Sequence, residues 1–363
     1  MKAPLAYQPG FEVPEDDERE TIEEVIESLR KIGETVAADE GHAFRSVHAK
    51  SHGLLIARVE VTPGLPPGLA QGLFAQPISL PAVLRFSTTP GDLLSDKVST
   101  PRGLAMKIVG VDGERSDDSV GDVTQDFVMV NGPAFSAPNA SKFAKNLKLL
   151  AATTDRMPRT KNVLSAALRG TEALLEKTGH ESATLKSLGG HPATNILGET
   201  FYTQVPLLHG RYMAKYSIAP VSPALLALTD EPIELKGHDD AIREAVIAHF
   251  TREGGQWELR AQLCTDIESM PIEDASVQWP EDESPYVTVA KIYARPQLAW
   301  SEERARRVDD GMAFNPWHCL AAHRPLGSVM RVRRAAYRAS RELRARRNGN
   351  DILEPRSLHS LDE

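Results

Sequence analysis

Tyr337 stands among eight arginines in the run from Arg331 to Arg347. If that run is helical, with about 100° of rotation per residue, Arg333, Tyr337, Arg341 and Arg344 fall within roughly 80° of one another. One phenol then shares a helix face with three guanidinium groups. Such neighbours favour the deprotonated form, because positive charge and donated hydrogen bonds both stabilise the anion. A phenolate is a ligand for a hard, oxidised metal. Read alone, the run is better taken as a solvated basic tail with a tyrosine in it.

Three upstream segments carry other candidates. Arg45-Ser-Val-His48-Ala-Lys places a histidine where an N-terminal helix gives way to the first strand. It suits either a structural hydrogen bond or a general base, since imidazole titrates near neutrality. In Leu84-Arg85-Phe86-Ser87-Thr88, strand alternation sends Arg85 and Ser87 to one face and Phe86 to the other. An arginine at a strand centre must meet solvent or an anion, and Ser87 could orient a histidine. Asp126 to Phe135 is an apolar strand that ends at Asn131-Gly-Pro, which is turn chemistry or a neutral amide positioning a polar substrate. His318 and His323 lie five apart, a spacing that does not share a helix face, and are expected to be structural or cofactor-edge residues.

The elements that must position these groups are legible from periodicity. Residues 1–18 read as an extended arm, and Ile22, Val25, Ile26, Leu29, Ile32 and Val36 form a helical stripe through Ala38. Strands are expected at Leu54–Val61, Val83–Ser87, Leu104–Val111 and Phe127–Val130, with a strand-like section from Thr200 to Ile218. Two more follow at Trp257–Leu263 and Tyr286–Tyr293. Helices are expected at Ala140–Ala152, Thr160–Lys177, Asp239–Arg252 and Ser328–Arg347. Strands gathered around helical insertions, without βαβ alternation, predict an α+β fold around an antiparallel sheet or barrel. The stretch from Pro220 to Pro232 is either a linker or a loop within one sheet.

With 363 residues, 41% hydrophobic and 25% charged, the chain has the composition of a globular protein. No stretch has the length and apolarity of a membrane span, and residues 1–20 are too acidic and proline-broken for a signal peptide. Cys264 and Cys319 suggest neither a disulfide framework nor a zinc site, so a cytoplasmic setting is expected. The formal net charge is −8 while 331–347 is strongly basic, which calls for an anionic partner. Basic residues are not interleaved with aromatics, so nucleic acid is not the expected one. Glycine-rich phosphate loops, Gly-x-Ser-x-Gly elbows, His-Glu-x-x-His and Cys-x-x-Cys motifs are all missing from the sequence.

Together these segments resemble the haem catalase family, in particular its short catalase-like branch. Arg45-Ser-Val-His48-Ala-Lys is similar to the family's Arg-x-Val-His-Ala-Lys, and Arg85-Phe-Ser87-Thr to its Arg-Phe-Ser-Thr. Pro101-Arg-Gly-Leu-Ala-Met-Lys107 resembles Pro-Arg-Gly-Phe-Ala-x-Lys, and Arg333-x-x-x-Tyr337 resembles the proximal Arg-x-x-x-Tyr. The resemblance covers most of 40–347 and is diffuse between about 150 and 310. It implies a catalase-like antiparallel β-barrel core with flanking helices, divided as arm and helix 1–38, haem domain 39–347 and tail 348–363. It further implies haem b, Tyr337 as proximal iron ligand, and His48, Ser87 and Asn131 as the distal catalytic set. Arg45, Val47, Arg85, Phe135, Phe143, Arg333, Arg341 and Arg344 would bind the cofactor, with Arg45, Arg85 and Arg344 on its propionates and Arg333 stabilising the phenolate.

The implied activity is reduction of hydrogen peroxide or organic hydroperoxides through a ferryl intermediate, with a small-molecule electron donor and a homodimeric assembly. A non-catalytic haem-binding or sensor protein, and an enzyme rearranging fatty-acid hydroperoxides, are the alternatives. Ser136 stands where the family has a second phenylalanine after the distal asparagine, and Arg341 where it has a histidine. Both departures put efficient hydrogen peroxide disproportionation in question. The rearranging branch carries threonine immediately before the distal histidine, whereas this chain has Val47.

Overall fold

A computed structural model describes residues 2–98, 100–153 and 192–361. The expected helix at Thr160–Lys177 lies outside them. Among the described residues nine strands form one antiparallel sheet: β1 (Ser51–Val61), β2 (Ser79–Thr88), β3 (Arg102–Val109), β4 (Thr124–Val130), β5 (Phe201–Tyr202), β6 (Leu207–His209), β7 (Tyr212–Pro220), β8 (Gly255–Leu263) and β9 (Val287–Ala294). The sheet closes because β5 pairs with β4 through Val130–Tyr202 and with β7 through Phe201–Ile218. Among the described residues the ring is β1-β2-β3-β4-β5-β7-β8-β9, an eight-stranded barrel, with β6 added as a hairpin on β7. The section Thr200–Ile218 is therefore three strands. Pro220 and Pro232 bracket a loop within one sheet, since β7 and β8 are adjacent.

Strand alternation decides which residues fill the barrel and which face out. Leu84, Phe86, Leu104, Met106, Phe127 and Met129 join Tyr216, Trp257 and Ile292 in the interior core. The intervening residues of β2, β3 and β4 form three outward rows in register: Ser87, Gly103 and Val130; then Arg85, Ala105 and Val128; then Val83, Lys107 and Asp126. This outer face is the one that the remaining chain covers.

Four longer helices flank the barrel: α1 (Glu18–Glu40), α2 (Ala140–Thr153), α3 (Ala241–Phe250) and α4 (Ser328–Asn348). Val25, Leu29, Ile32 and Val36 of α1 share a core with Ala140, Ala144 and Leu147 of α2 and with Val332 and Ala336 of α4. The N-terminal end of α4 is tied down by Arg331, which pairs with Glu12, Glu18 and Glu273. After Gly349 closes α4 in the left-handed conformation (φ 67°), the chain returns to the barrel and buries Leu358 and Leu361 beside Val308, Met312 and Phe314. The segment leading to α4 contains a π-helical turn, Arg306–Asp310. No described helix is long and apolar enough to cross a membrane.

Candidate active site

Between the outer face of β2–β4 and helix α4 lies a cavity of about 480 Å³, lined among others by Val47, His48, Arg85, Ser87, Phe314, His318, Tyr337 and Arg344. Its volume falls within the range of small-molecule sites. His48 reaches its floor from the turn before β1. Its backbone is left-handed (φ 55°), a conformation uncommon outside glycine, and is held by a hydrogen bond from its N–H to the Thr89 carbonyl. The imidazole Nδ1 is 3.0 Å from Ser87 Oγ. The ring lies over Gly103: a Cβ there would come within 2.6 Å of His48 Cε1 and Nδ1. Gly103 thus makes the room that His48 occupies. Burial depresses the His48 pKa first, and the nearby Arg85, Arg333 and Arg45 depress it further, to about 3. The ring is neutral at physiological pH and able to accept a proton.

Three arginines converge on Asp309 in the π-helical turn. Arg45 donates to its carboxylate and its carbonyl, both at 2.9 Å. Arg85 Nε donates to the same carboxylate oxygen at 2.6 Å, and Ser51 Oγ donates to the other at 2.6 Å. Arg344 donates to the Asp309 and Met312 carbonyls. Arg85 also donates to the His48 carbonyl at 2.8 Å, so the cluster fixes the distal turn. Burial alone would raise the Asp309 pKa, but Arg85, Arg45 and the Ser51 hydroxyl hold it below the ordinary carboxylate range. The sequence assigned Arg45, Arg85 and Arg344 to ligand carboxylates. Among the described residues Asp309 accepts from all three, and Arg344 Nε is buried without a hydrogen-bond partner.

Tyr337 enters the cavity wall from α4, and its phenol makes no hydrogen bond among the described residues. The arginines expected around it have other commitments. The Arg333 guanidinium sits 4.9 Å from the Phe135 ring centroid in a cation–π contact. Arg341 lines the cavity and donates to the Ile352 carbonyl of the tail. Phe135 and Phe143 meet edge to face, 5.3 Å apart, and neither lines the cavity. Asn131 does not line it either: its amide oxygen accepts from the Arg102 N–H at 2.9 Å, and its amide nitrogen donates to Glu199.

The two C-terminal histidines part company. His318 lines the cavity, whereas His323 is buried inside the barrel, where Nε2 accepts from the Leu73 N–H at 2.9 Å and Nδ1 is 3.3 Å from the Tyr216 hydroxyl. Asp309 was not visible in the sequence: nothing in Arg-Arg-Val-Asp-Asp-Gly marks it out. The only signal was indirect, in that Arg85 at a strand centre demands an anion.

The closed barrel, the helices around it and this cavity define a catalase-like fold. The chain superposes on a fungal catalase with a TM-score of 0.59 and 18% identity, covering 88% of this chain and 63% of the other. Catalase A from Saccharomyces cerevisiae gives 0.59 and 18%, covering 85% and 63%, and a bacterial catalase gives 0.55 and 14%, covering 86% and 59%. The chain therefore spans less than two thirds of the length of these structures. By sequence, no family model and no curated protein matches it.

Two substitutions test the geometry. Gly103→Ala should displace the His48 ring, abolish its bond to Ser87 and lower stability by about 1–3 kcal/mol, read from the imidazole NMR signals and urea unfolding. Asp309→Asn should lower stability by about 3–5 kcal/mol, because it leaves buried guanidinium groups without their anion. The depressed carboxylate contributes stability in full above its unfolded pKa of about 3.9, and loses it as pH falls through the lower folded value. Unfolding of the Asn variant should lack that acid-dependent component.

Proposed function

We propose that the protein is a haem-dependent, peroxide-degrading oxidoreductase acting on hydrogen peroxide or organic hydroperoxides. The observation that carries this reading is one cavity with a neutral, serine-bonded imidazole on one element and a phenol without a hydrogen-bond partner on another. The residues fit a haem. Tyr337 would offer its phenol oxygen to ferric iron, the orphaned Arg344 Nε asks for an acceptor such as a carboxylate, and Val47, Ala105, Val128 and Phe314 supply apolar walls. When bound, the haem iron supplies the redox chemistry.

The chain's own groups handle the proton. With Nδ1 held at Ser87, His48 Nε2 takes a proton from the peroxide and returns it to the departing oxygen, acting as base and then acid. The fixed distal turn keeps this ring in place without a conformational search. Asn131 is committed to Glu199, and Ser136 replaces an aromatic wall, so we favour peroxidatic use of organic hydroperoxides with a small-molecule donor over rapid disproportionation.

The test begins with the visible spectrum of purified or haem-reconstituted protein, followed by peroxide addition. Wild type should show a tyrosinate-ligated ferric spectrum and turn over peroxide. Tyr337→Phe should change that spectrum or lose haem. His48→Ala should keep haem and react roughly 10²–10⁴-fold more slowly. Failure of the protein to take up haem would overturn the proposal, and a haem spectrum without turnover would mark a binding or sensor protein instead.

A further inference from the structure

A second imidazole lines the same cavity, and the reading above gives it no task. His318 Nδ1 lies 3.3 Å from Asp126 Oδ2 and 3.0 Å from Glu354 Oε1. Lys107 Nζ, 3.4 Å from that same nitrogen, donates to Asp126 at 2.7 and 2.8 Å and to Glu354 at 2.6 Å. The Asn315 N–H donates to Asp126 Oδ2 and the Thr124 hydroxyl to Glu354 Oε2, each at 2.8 Å, while the Asp126 N–H donates to the His318 carbonyl at 2.9 Å; Glu354 Oε1 has no hydrogen-bond partner among the described residues. Nδ1 therefore faces two anions and Lys107, which leaves Nε2 as the ring nitrogen for a molecule in the cavity that His318 lines.

Charge balance decides the ring's state. Lys107 and Asp126 are buried and the Glu354 side chain is largely covered, and their formal charges sum to −1. A protonated His318 brings the tetrad to neutrality, which burial strongly favours. Burial pulls the His318 pKa down, but its bonds to Asp126 and Glu354 outweigh this and raise it, against the opposing charge of Lys107; Asp122 is the further acid facing the ring. His48, at the other end of the floor, is driven the opposite way. Gly103 beneath His48 and Lys107 beside His318 are four residues apart on β3, on the order of 13 Å.

We propose that His318 is the cavity's fixed cationic hydrogen-bond donor, presenting Nε2–H to a carboxylate of the molecule bound there. The inference rests on the haem reading for its choice of ligands: the carboxylate belongs either to the cofactor or to an acidic organic hydroperoxide. No bond is made or broken. The imidazolium is lost as pH rises through a value raised above the ordinary 6.5 or so, so carboxylate affinity must fall in alkaline solution.

The test uses metal-free protoporphyrin IX on the apo-protein, its dimethyl ester as the uncharged control, and a medium-chain fatty acid on the haem-loaded protein. Wild type should bind one of the two acids about tenfold or more tightly than His318→Gln does. That difference should vanish at alkaline pH and be missing for the ester. A response to the porphyrin assigns the carboxylate to the cofactor, and a response to the fatty acid alone assigns it to the substrate. Equal binding by wild type and variant to both acids overturns this proposal and leaves the haem reading standing; a wild type that takes up neither porphyrin nor haem overturns both. Should the variant fold poorly, ¹⁵N titration of His318 in wild type decides the matter, because a neutral ring at pH 7 is incompatible with the role.

Discussion

Burying guanidinium groups against a β-barrel requires an anion, and in this protein the anion is Asp309. Arg45 arrives from the turn after α1, Arg85 from the centre of β2, and Arg344 from the far part of α4. Elements distant in sequence are thus tied to one residue. The exposed pairs on α1, such as Arg30 with Glu27 and Glu34, are screened by water and contribute little to stability. At Asp309 the charges are out of water, the hydrogen bonds are several, and the loss of any member leaves the others unmatched. The π-helical turn is part of this arrangement, since it contributes both the carboxylate and the carbonyls that the arginines need. Such irregular turns recur at functional sites because they re-aim a backbone that a regular helix would keep to itself.

The same floor drives two imidazoles in opposite directions. His48 is surrounded by arginines and a neutral hydroxyl, so burial and charge act together to keep it unprotonated. His318 is surrounded by carboxylates, so charge overrides burial. A site that needs a proton acceptor and a standing cation can obtain both from one residue type by setting their neighbours apart. The strand register makes this possible, because Gly103 and Lys107 face the same way along β3 with one row between them.

Local patterns in the sequence revealed much of this. Alternation in β2 set Arg85 and Ser87 on the face opposite Phe86, and the structure turns Phe86 into the barrel and the other two outward. Helical spacing put Tyr337 and Arg344 on one face of α4, and both line the cavity. What stayed hidden was long-range pairing. Nothing near Asn131 indicates that Glu199 will claim its amide, and nothing near Arg333 favours the Phe135 ring over the neighbouring phenol. Glu354 lies in a segment that reads as a dispensable tail, yet it reaches Lys107 across most of the chain. Glycine spacing was equally silent about Gly103, whose importance lies in what stands above it rather than in its own backbone.

A barrel escapes the hazard of exposed edges only if its ring is complete. Here completion depends on β5, which offers two residues where β1 offers eleven. The β4–β5 seam has one registered pair, Val130 with Tyr202, against seven between β3 and β4. Cooperativity around the ring is therefore uneven, and the wall has a built-in place to part first. That seam is one residue from Asn131 and three from Glu199, so their hydrogen bond doubles as a rivet across the shortest join in the wall.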